Sequence, residues 1–426
     1  MNHRAWWAVA AACVIPLLNA CGGGGSSGGN GAVRLVNAAD DQASLDLYAG
    51  DTSIASAVAT GTAGAYASVG AGTYTMQLKP TGSNATASSA SRTVGSDTSY
   101  TVVAYTSGEA LKSVLLTDDE AAPTSGSAKL RVFNASIEAG ALDVYVTTPD
   151  ASLSASTPYV QGLGTERIGG YVEYGAGTWR IRVTGNGDKT DLRLDIPSIT
   201  LTDQEIATLV VTSTPGGVLV HGLVIQQKST VAAFRNGSAR LRLVASAAGG
   251  AAVAATANGT TLSAGLTSPA IGNYTLVNAG ALALDVSIGG TAVTAPAPTL
   301  AAGSDTTLLV TGSAAAPVIT VLADDNRPAL LSGNTKLRLV HGVSGLASPI
   351  TLTADYAAVA TDVAPNTAST PASMAASTTL RIEATSPAVA GSMFLATDVT
   401  LQAGRVYTLF MLGDTSASAG VLRRDR

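Results

Sequence analysis

One short phrase recurs four times along the chain and sets the scale of the fold. It reads Ala32-Val33-Arg34-Leu35-Val36-Asn37-Ala38, then Ala128-Lys129-Leu130-Arg131-Val132-Phe133-Asn134-Ala135. It returns as Ala239-Arg240-Leu241-Arg242-Leu243-Val244-Ala245 and as Thr335-Lys336-Leu337-Arg338-Leu339-Val340-His341-Gly342. The spacing is roughly 100 residues, the size of one β-sandwich domain. Solenoid and propeller repeats, at about 20–50 residues, are far shorter. Other phrases keep similar offsets. Leu45-Asp46-Leu47-Tyr48 matches Leu142-Asp143-Val144-Tyr145, and Gly70-Ala71-Gly72-Thr73-Tyr74 matches Gly175-Ala176-Gly177-Thr178-Trp179. The first two copies are clear, and the third and fourth are degenerate in their middles.

Within each copy the apolar period is two. Trp179, Ile181 and Val183 alternate with Arg180 and Arg182, and Tyr74, Met76 and Leu78 repeat the pattern in the first copy. Such alternation marks half-buried strands of an antiparallel sheet. The turn at Gly185-Asn186-Gly187 joins two of them as a hairpin. Ala245 to Ala257 is rich in alanine, but Gly249, Gly250 and the β-branched residues argue against a helix there. Acidic and proline-containing segments, Thr117 to Pro123 and Ala323 to Pro328, read as junctions; Gln226 to Ser238 is a less clearly marked one. The expected organisation is all-β: tandem immunoglobulin-like or transthyretin-like antiparallel β-sandwich domains. They are expected at 32–122, 127–228, 239–326 and 335–426.

The phrases R-L-V-N-A, L-D-L-Y, A-G-T-Y and D-T-S-Y-T-V-V-A, in this order, resemble the bacterial domain of unknown function 4397 (DUF4397). The likeness is good from Ala32 to about Lys228 and fainter beyond, although His341-Gly342-Val343-Ser344 suits the opening motif. It implies small all-β domains on exported proteins and carries no catalytic residues to transfer.

The N-terminus reads as an address. Met1-Asn2-His3-Arg4 precedes an apolar run from Ala5 to Leu18. That run is too short for a stable membrane span of about 20 residues and fits a signal peptide over 1–20. Leu18-Asn19-Ala20-Cys21 resembles a bacterial lipobox, departing from its commoner form at Asn19. The resemblance implies cleavage before Cys21 and lipidation of that cysteine, palmitate included, so the membrane is an expected partner through the N-terminal lipid. Gly22 rather than Asp after the cysteine implies an outer-membrane location, the periplasmic or surface side left open. The only other cysteine, Cys13, leaves with the signal, so the mature chain has no disulfide. Residues 21–31, Gly- and Ser-rich after the cysteine, read as a flexible tether with a reach of roughly 17 Å.

Composition and motifs exclude more than they assign. A net charge of −5 argues against a nucleic-acid partner. Aromatic residues at 4% cannot build the girdles of a transmembrane barrel. His221 and His341 sit in different copies, too few for a transition-metal site, and His341 reads as a strand-end residue with a backbone hydrogen bond. No G-x-S-x-G elbow is present. Gly162 to Arg167 and Gly187 to Thr190 lack the glycines of nucleotide loops and read as turns.

Asp118, Asp119 and Glu120, with Asp324 and Asp325, are weak candidates for a structural Ca²⁺ at the junctions, as are Asp40 and Asp41 near a domain end. The preferred reading is a solvated hinge. Asp46 and Asp143 read as turn caps or cross-sheet partners, with Arg34 and Arg131 as conceivable ion-pair mates. Trp179 reads as core. No catalytic residue, cofactor or ligand-binding residue is assigned. The expectation is a lipid-anchored, non-enzymatic envelope protein for adhesion, envelope organisation or partner binding, with an envelope protein or glycan as partner. The alternatives are a glycan or envelope-polymer binding module and a hydrolase with an inter-domain site.

Overall fold

The computed structural model describes residues 28–426. The signal peptide, Cys21 and the start of the tether lie outside the described residues. The first copy sets the pattern with eight strands: β1 (Asn30–Asn37), β2 (Ser44–Ala49), β3 (Thr52–Ala59), β4 (Ala67–Gly70), β5 (Gly72–Pro80), β6 (Ser88–Val94), β7 (Ser99–Ser107) and β8 (Ala110–Thr117). They form two facing sheets ordered β4-β1-β7-β8 and β3-β2-β5-β6. Each later copy keeps both orders, with small local additions. The degenerate third and fourth copies thus share the sandwich of the first two.

Three details differ from the sequence reading. The sheets are not wholly antiparallel: β1 runs parallel to β7, and the equivalent strands of every later copy do the same. The segment read as tether to Gly31 yields its last two residues to β1. A Cβ at Gly31 would lie 2.5 Å from the Gly95 carbonyl oxygen, so this strand start accepts only glycine. Elsewhere Gln226 to Ser238, read as a junction, contributes a further strand, Val231–Phe234, to the edge of the second copy.

Each sandwich has its own core. Leu35, Leu47, Leu78 and Val102 fill the first, and Val132, Val144, Ile181 and Leu209 the second. Leu243, Val253, Val286 and Leu308 fill the third, and Leu339, Leu352, Ile382 and Leu409 the fourth. These are the inward positions of the alternating strands. Ile181 and Val183 are buried as their alternation predicts, while Trp179 is half-buried, packed edge-on against Tyr174 at 5.3 Å.

Two further cores lie between sandwiches. Val36, Val103 and Tyr105 of the first copy pack on Phe133, Val210, Leu223 and Ile225 of the second. Val244, Leu309 and Leu322 of the third pack on Val340, Phe410 and Leu412 of the fourth. The sheet containing β1 is therefore buried on both faces in every copy. The chain is two pairs of sandwiches, first with second and third with fourth.

The pairs meet at the turn Pro215-Gly216-Gly217. The Gly216 amide donates to the Gly303 carbonyl at 3.1 Å and its own carbonyl accepts from the Asn326 amide at 3.2 Å. Arg426 donates to the Gly217 carbonyl at 2.7 Å. Gly217 has φ +81°, and a Cβ there would lie 2.5 Å from the Arg327 side chain. A Gly217→Val chain is therefore expected to lose this clamp, at a cost of about 1–3 kcal/mol. Small-angle scattering should report a larger radius of gyration at an unchanged far-ultraviolet spectrum. An unchanged radius would show that the turn does not hold the pairs together.

Candidate functional site

The recurring arginine is the most chemically distinctive residue of the repeat, and it occupies one equivalent place in all four copies. On the first strand of each sandwich the residues either side of it point inward, so the arginine itself points outward, onto the face that another sandwich covers. The parallel strand sets a threonine directly beside it: Arg34 with Thr101, Arg131 with Thr208, Arg242 with Thr307 and Arg338 with Thr408. In every copy the arginine Nε donates to the threonine Oγ1, at 2.8–3.0 Å. In three copies the threonine hydroxyl then donates to an aspartate just at or after the last strand. These are Asp118 at 2.6 Å, Asp324 at 2.6 Å and Asp425 at 2.5 Å.

A tyrosine completes the group in the first and third copies. Tyr66 donates to Asp118 at 2.7 Å and Tyr274 to Asp324 at 2.5 Å. Arg34 and Arg242 lie over these rings at 4.8 and 4.5 Å. Tyr171 plays the stacking part for Arg131, at 4.4 Å. In the fourth copy Pro371 stands where the tyrosine would be, directly before the equivalent strand, Ala372–Ala375.

In the second pair the charges are exchanged between sandwiches. Arg242 of the third copy is ion-paired to Asp425 of the fourth, and Arg338 of the fourth to Asp324 of the third. Arg242, Asp324 and Arg338 are at most 4% exposed. The arrangement is reciprocal, as across a two-fold axis. Two serines repeat the exchange: the Ser246 hydroxyl accepts from the Gly413 amide at 2.7 Å, and the Ser344 hydroxyl from the Gly312 amide at 2.8 Å. The first pair carries a simpler version. Gln227 stands where the aspartate would be and bonds the Glu120 backbone, while Arg34 reaches the carbonyls of Gln226 and Ser229.

The electrostatics follow from burial. Burial alone would raise the Asp324 carboxyl, but Arg338 and Arg242 beside it hold it below the usual carboxylate range. Burial also pushes down on Arg242, and Tyr274, Asp425 and Asp324 outweigh it, so the guanidinium stays charged. Burial drives the Tyr274 phenol well above its ordinary value, with Asp324 adding to the effect. The hydroxyl is thus a permanent donor.

The junction carboxylates therefore do not form solvated hinges. Asp118 and Asp324 are buried acceptors in the arginine groups. Glu120 pairs with Lys129 at 2.5 Å, and Asp325 with Arg327 at 2.8 Å and Lys336 at 3.0 Å. Asp119 is exposed. Apart from Asp119, their oxygens are directed at protein donors rather than at a shared point, and among the described residues no three His, Cys, Asp or Glu side chains converge on a metal position.

Asp46 and Asp143 do not pair with Arg34 and Arg131, because they lie in the opposite sheet. Asp46 accepts from the Ala57 amide on the neighbouring strand and from Thr81, and Asp143 from the Gly162 amide on the neighbouring strand and from the Gly187 amide in a hairpin turn. His341 lies within hydrogen-bonding distance of the Ser348 carbonyl, 3.1 Å from Nε2. His221 accepts from the Asn236 amide at 2.9 Å, and its Nε2 lies 3.5 Å from Asp40 of the first copy. The apolar residues on either side of each recurring arginine are the local signal of its outward direction; its partners come from strands far apart in the chain and left no such signal.

Fold and interface together define a protein of tandem β-sandwiches joined face to face in pairs. The sequence profile for the domain of unknown function DUF4397 matches residues 31–145 and 239–346, together just over half of the chain. The chain belongs to that family. Each match begins at the first sandwich of a pair and ends within the second, and the third copy, where the phrases are faint, is matched as the first is. No curated protein matches. Among solved structures, the Bacillus anthracis TIE protein is similar at 9% identity over 65% of this chain, with a TM-score of 0.14. The match spans about half of that protein, 49%, and a score so low carries no argument.

Two outcomes are expected. Replacing Arg242 by Ala leaves Asp324 and Asp425 short of a buried partner and should cost about 3–5 kcal/mol, read as a lower urea midpoint. Arg131→Ala, at a half-exposed site without an ion pair among the described residues, should cost markedly less. Second, burial holds both His221 and His341 below the ordinary imidazole value. The unfolded chain then takes up protons first as pH falls. The stability these two supply is complete above about pH 6.5 and is lost as pH falls through the folded values. Urea midpoints measured from about pH 8 to about pH 5 should fall on the acid side, and His341→Gln should flatten that slope.

Proposed function

We propose that this protein is a lipid-anchored, non-enzymatic module of the bacterial cell envelope that acts in adhesion, envelope organisation or partner binding. The observation that carries the reading is the fate of the repeat's chemistry-bearing residues. The recurring threonines and tyrosines hold the arginines and aspartates within each sandwich, and Arg34, Arg242 and Arg338 reach across to the neighbouring sandwich, as a spacer or scaffold requires. The lipobox-like Leu18 to Cys21 supports the anchor, and the Gly-rich segment after it supports a short tether. Free edge strands on the outer sheets offer unpaired backbone groups for a partner.

A glycan or envelope-polymer binding module is the second reading. It is favoured by Tyr356, 79% exposed at a hairpin tip with Arg381 stacked on it at 4.6 Å. A flat aromatic face beside a cation suits a sugar ring.

Protease treatment of intact cells carrying a C-terminally tagged chain tests the reading. Loss of the tag from intact cells places the sandwiches outside, where adhesion leads. Survival until the outer membrane is permeabilised places them in the periplasm, where envelope organisation leads. A Cys21→Ala chain is expected to leave the membrane fraction. If it partitions as the wild type does, the anchor is wrong.

A further inference from the structure

A groove runs where the first pair of sandwiches meets the segment that links the third to the fourth. It consists of two adjoining cavities of about 390 and 480 Å³ that share Gly108, Glu109, Glu138 and Arg327. That is the volume of a small-molecule site rather than of a bare ion.

Glu138 is the unusual group in it. Its residue is 2% exposed, yet no lysine, arginine or histidine lies within ion-pair distance among the described residues. One carboxylate oxygen, Oε2, accepts from the hydroxyls of Ser136 and Ser213. The other, Oε1, accepts no hydrogen bond from any described residue. A buried carboxylate is ordinarily paired with a cation, because removing it from water is costly.

The basic residues along the groove are already committed. Lys112 pairs with Glu166 at 2.5 Å, and Arg327 and Lys336 both pair with Asp325. Arg327 and Arg426 act on Glu138 only from beyond ion-pair distance. Glu109, exposed and without an ion pair among the described residues, and Asp41 line the same groove. The first cavity also has an apolar wall, where Ile137 is 40% and Leu330 59% exposed with Pro328 beside them, while Asp40 and the hydroxyls of Thr106, Thr212 and Thr214 line the second.

We infer that this groove binds a small linear diamine, with one ammonium on Glu138, the other on the Glu109 and Asp41 side, and the methylenes against Ile137 and Leu330. The ligand supplies the positive charge that Glu138 lacks, and its short apolar body covers the exposed side chains. Because residues of the first, second and third-to-fourth segments all line the groove, the ligand would also brace the two pairs. The site does not depend on the lipid anchor.

Calorimetric titration of the full chain with diaminobutane at constant ionic strength tests the inference, with butanediol as the uncharged control. Binding of the diamine but not the diol is expected. Glu138→Gln should weaken it by about tenfold or more. Ile137→Lys, at an exposed position on the groove wall, should weaken it comparably while leaving the urea midpoint unchanged, which keeps the test decisive if Glu138→Gln fails to fold. No heat with diaminobutane, equal binding of the diol, or wild-type affinity in Ile137→Lys would each overturn the site.

Discussion

The structure depends on burying an arginine in the middle of an apolar interface. An isolated guanidinium there would be prohibitively unfavourable. Here each is met by a threonine hydroxyl from the parallel strand, and in the second pair by an aspartate from the facing sandwich. Removal of any one partner strands a charge, so the group acts as a unit. The surrounding side chains, Val244, Leu309, Val340 and Phe410, supply the area that drives association, at about 1.5–3 kcal/mol for each large side chain buried. The charges supply register, because Arg242 and Arg338 can both be satisfied in only one relative placement of the two sheets.

That division of labour explains how a chain with so few charges and aromatics joins four sandwiches whose described residues include no cysteine. Each sandwich is small, and its central sheet has apolar residues on both faces. A lone copy would expose the outward face. Pairing covers it, and the parallel strand pair that distinguishes these sheets places arginine and threonine side by side at the centre of that face. The second interface, between pairs, is of a different kind. It rests on backbone contacts of a glycine turn and on the buried Arg426 guanidinium, whose value burial lowers to about 10. The molecule is thus strongly joined within pairs and more sparingly joined between them.

Much of this architecture is legible in the amino-acid sequence. The four phrases mark the number of units and the period-two alternation marks their class, since a strand with one apolar face must find a second sheet. The inward residues of the cores are those the alternation selects. Asp46 and Asp143 are legible as partners across their own sheet, because each sits in a strand phrase and accepts from an amide of the neighbouring strand. The partners of Arg34 and Arg242 are not, since Ser229 and Asp425 lie nearly 200 residues away and no local pattern links them. The acidic junctions mislead for the same reason. Asp118 and Asp324 look like hinge residues in a row of carboxylates, yet each is the buried end of a hydrogen-bond chain.

The sequence by itself determined the β class, the four units and the lipobox-like start, because alternation, repetition and a short apolar run are local properties of the chain. It also set one arginine between apolar neighbours on the first strand of every copy. Tertiary structure alone decided what that arginine meets, which sandwiches pair, and how Glu138 comes to lie buried without an ion pair among the described residues. Those outcomes depend on surfaces assembled from distant strands, where the energy of a buried charge is set by neighbours the local sequence does not name.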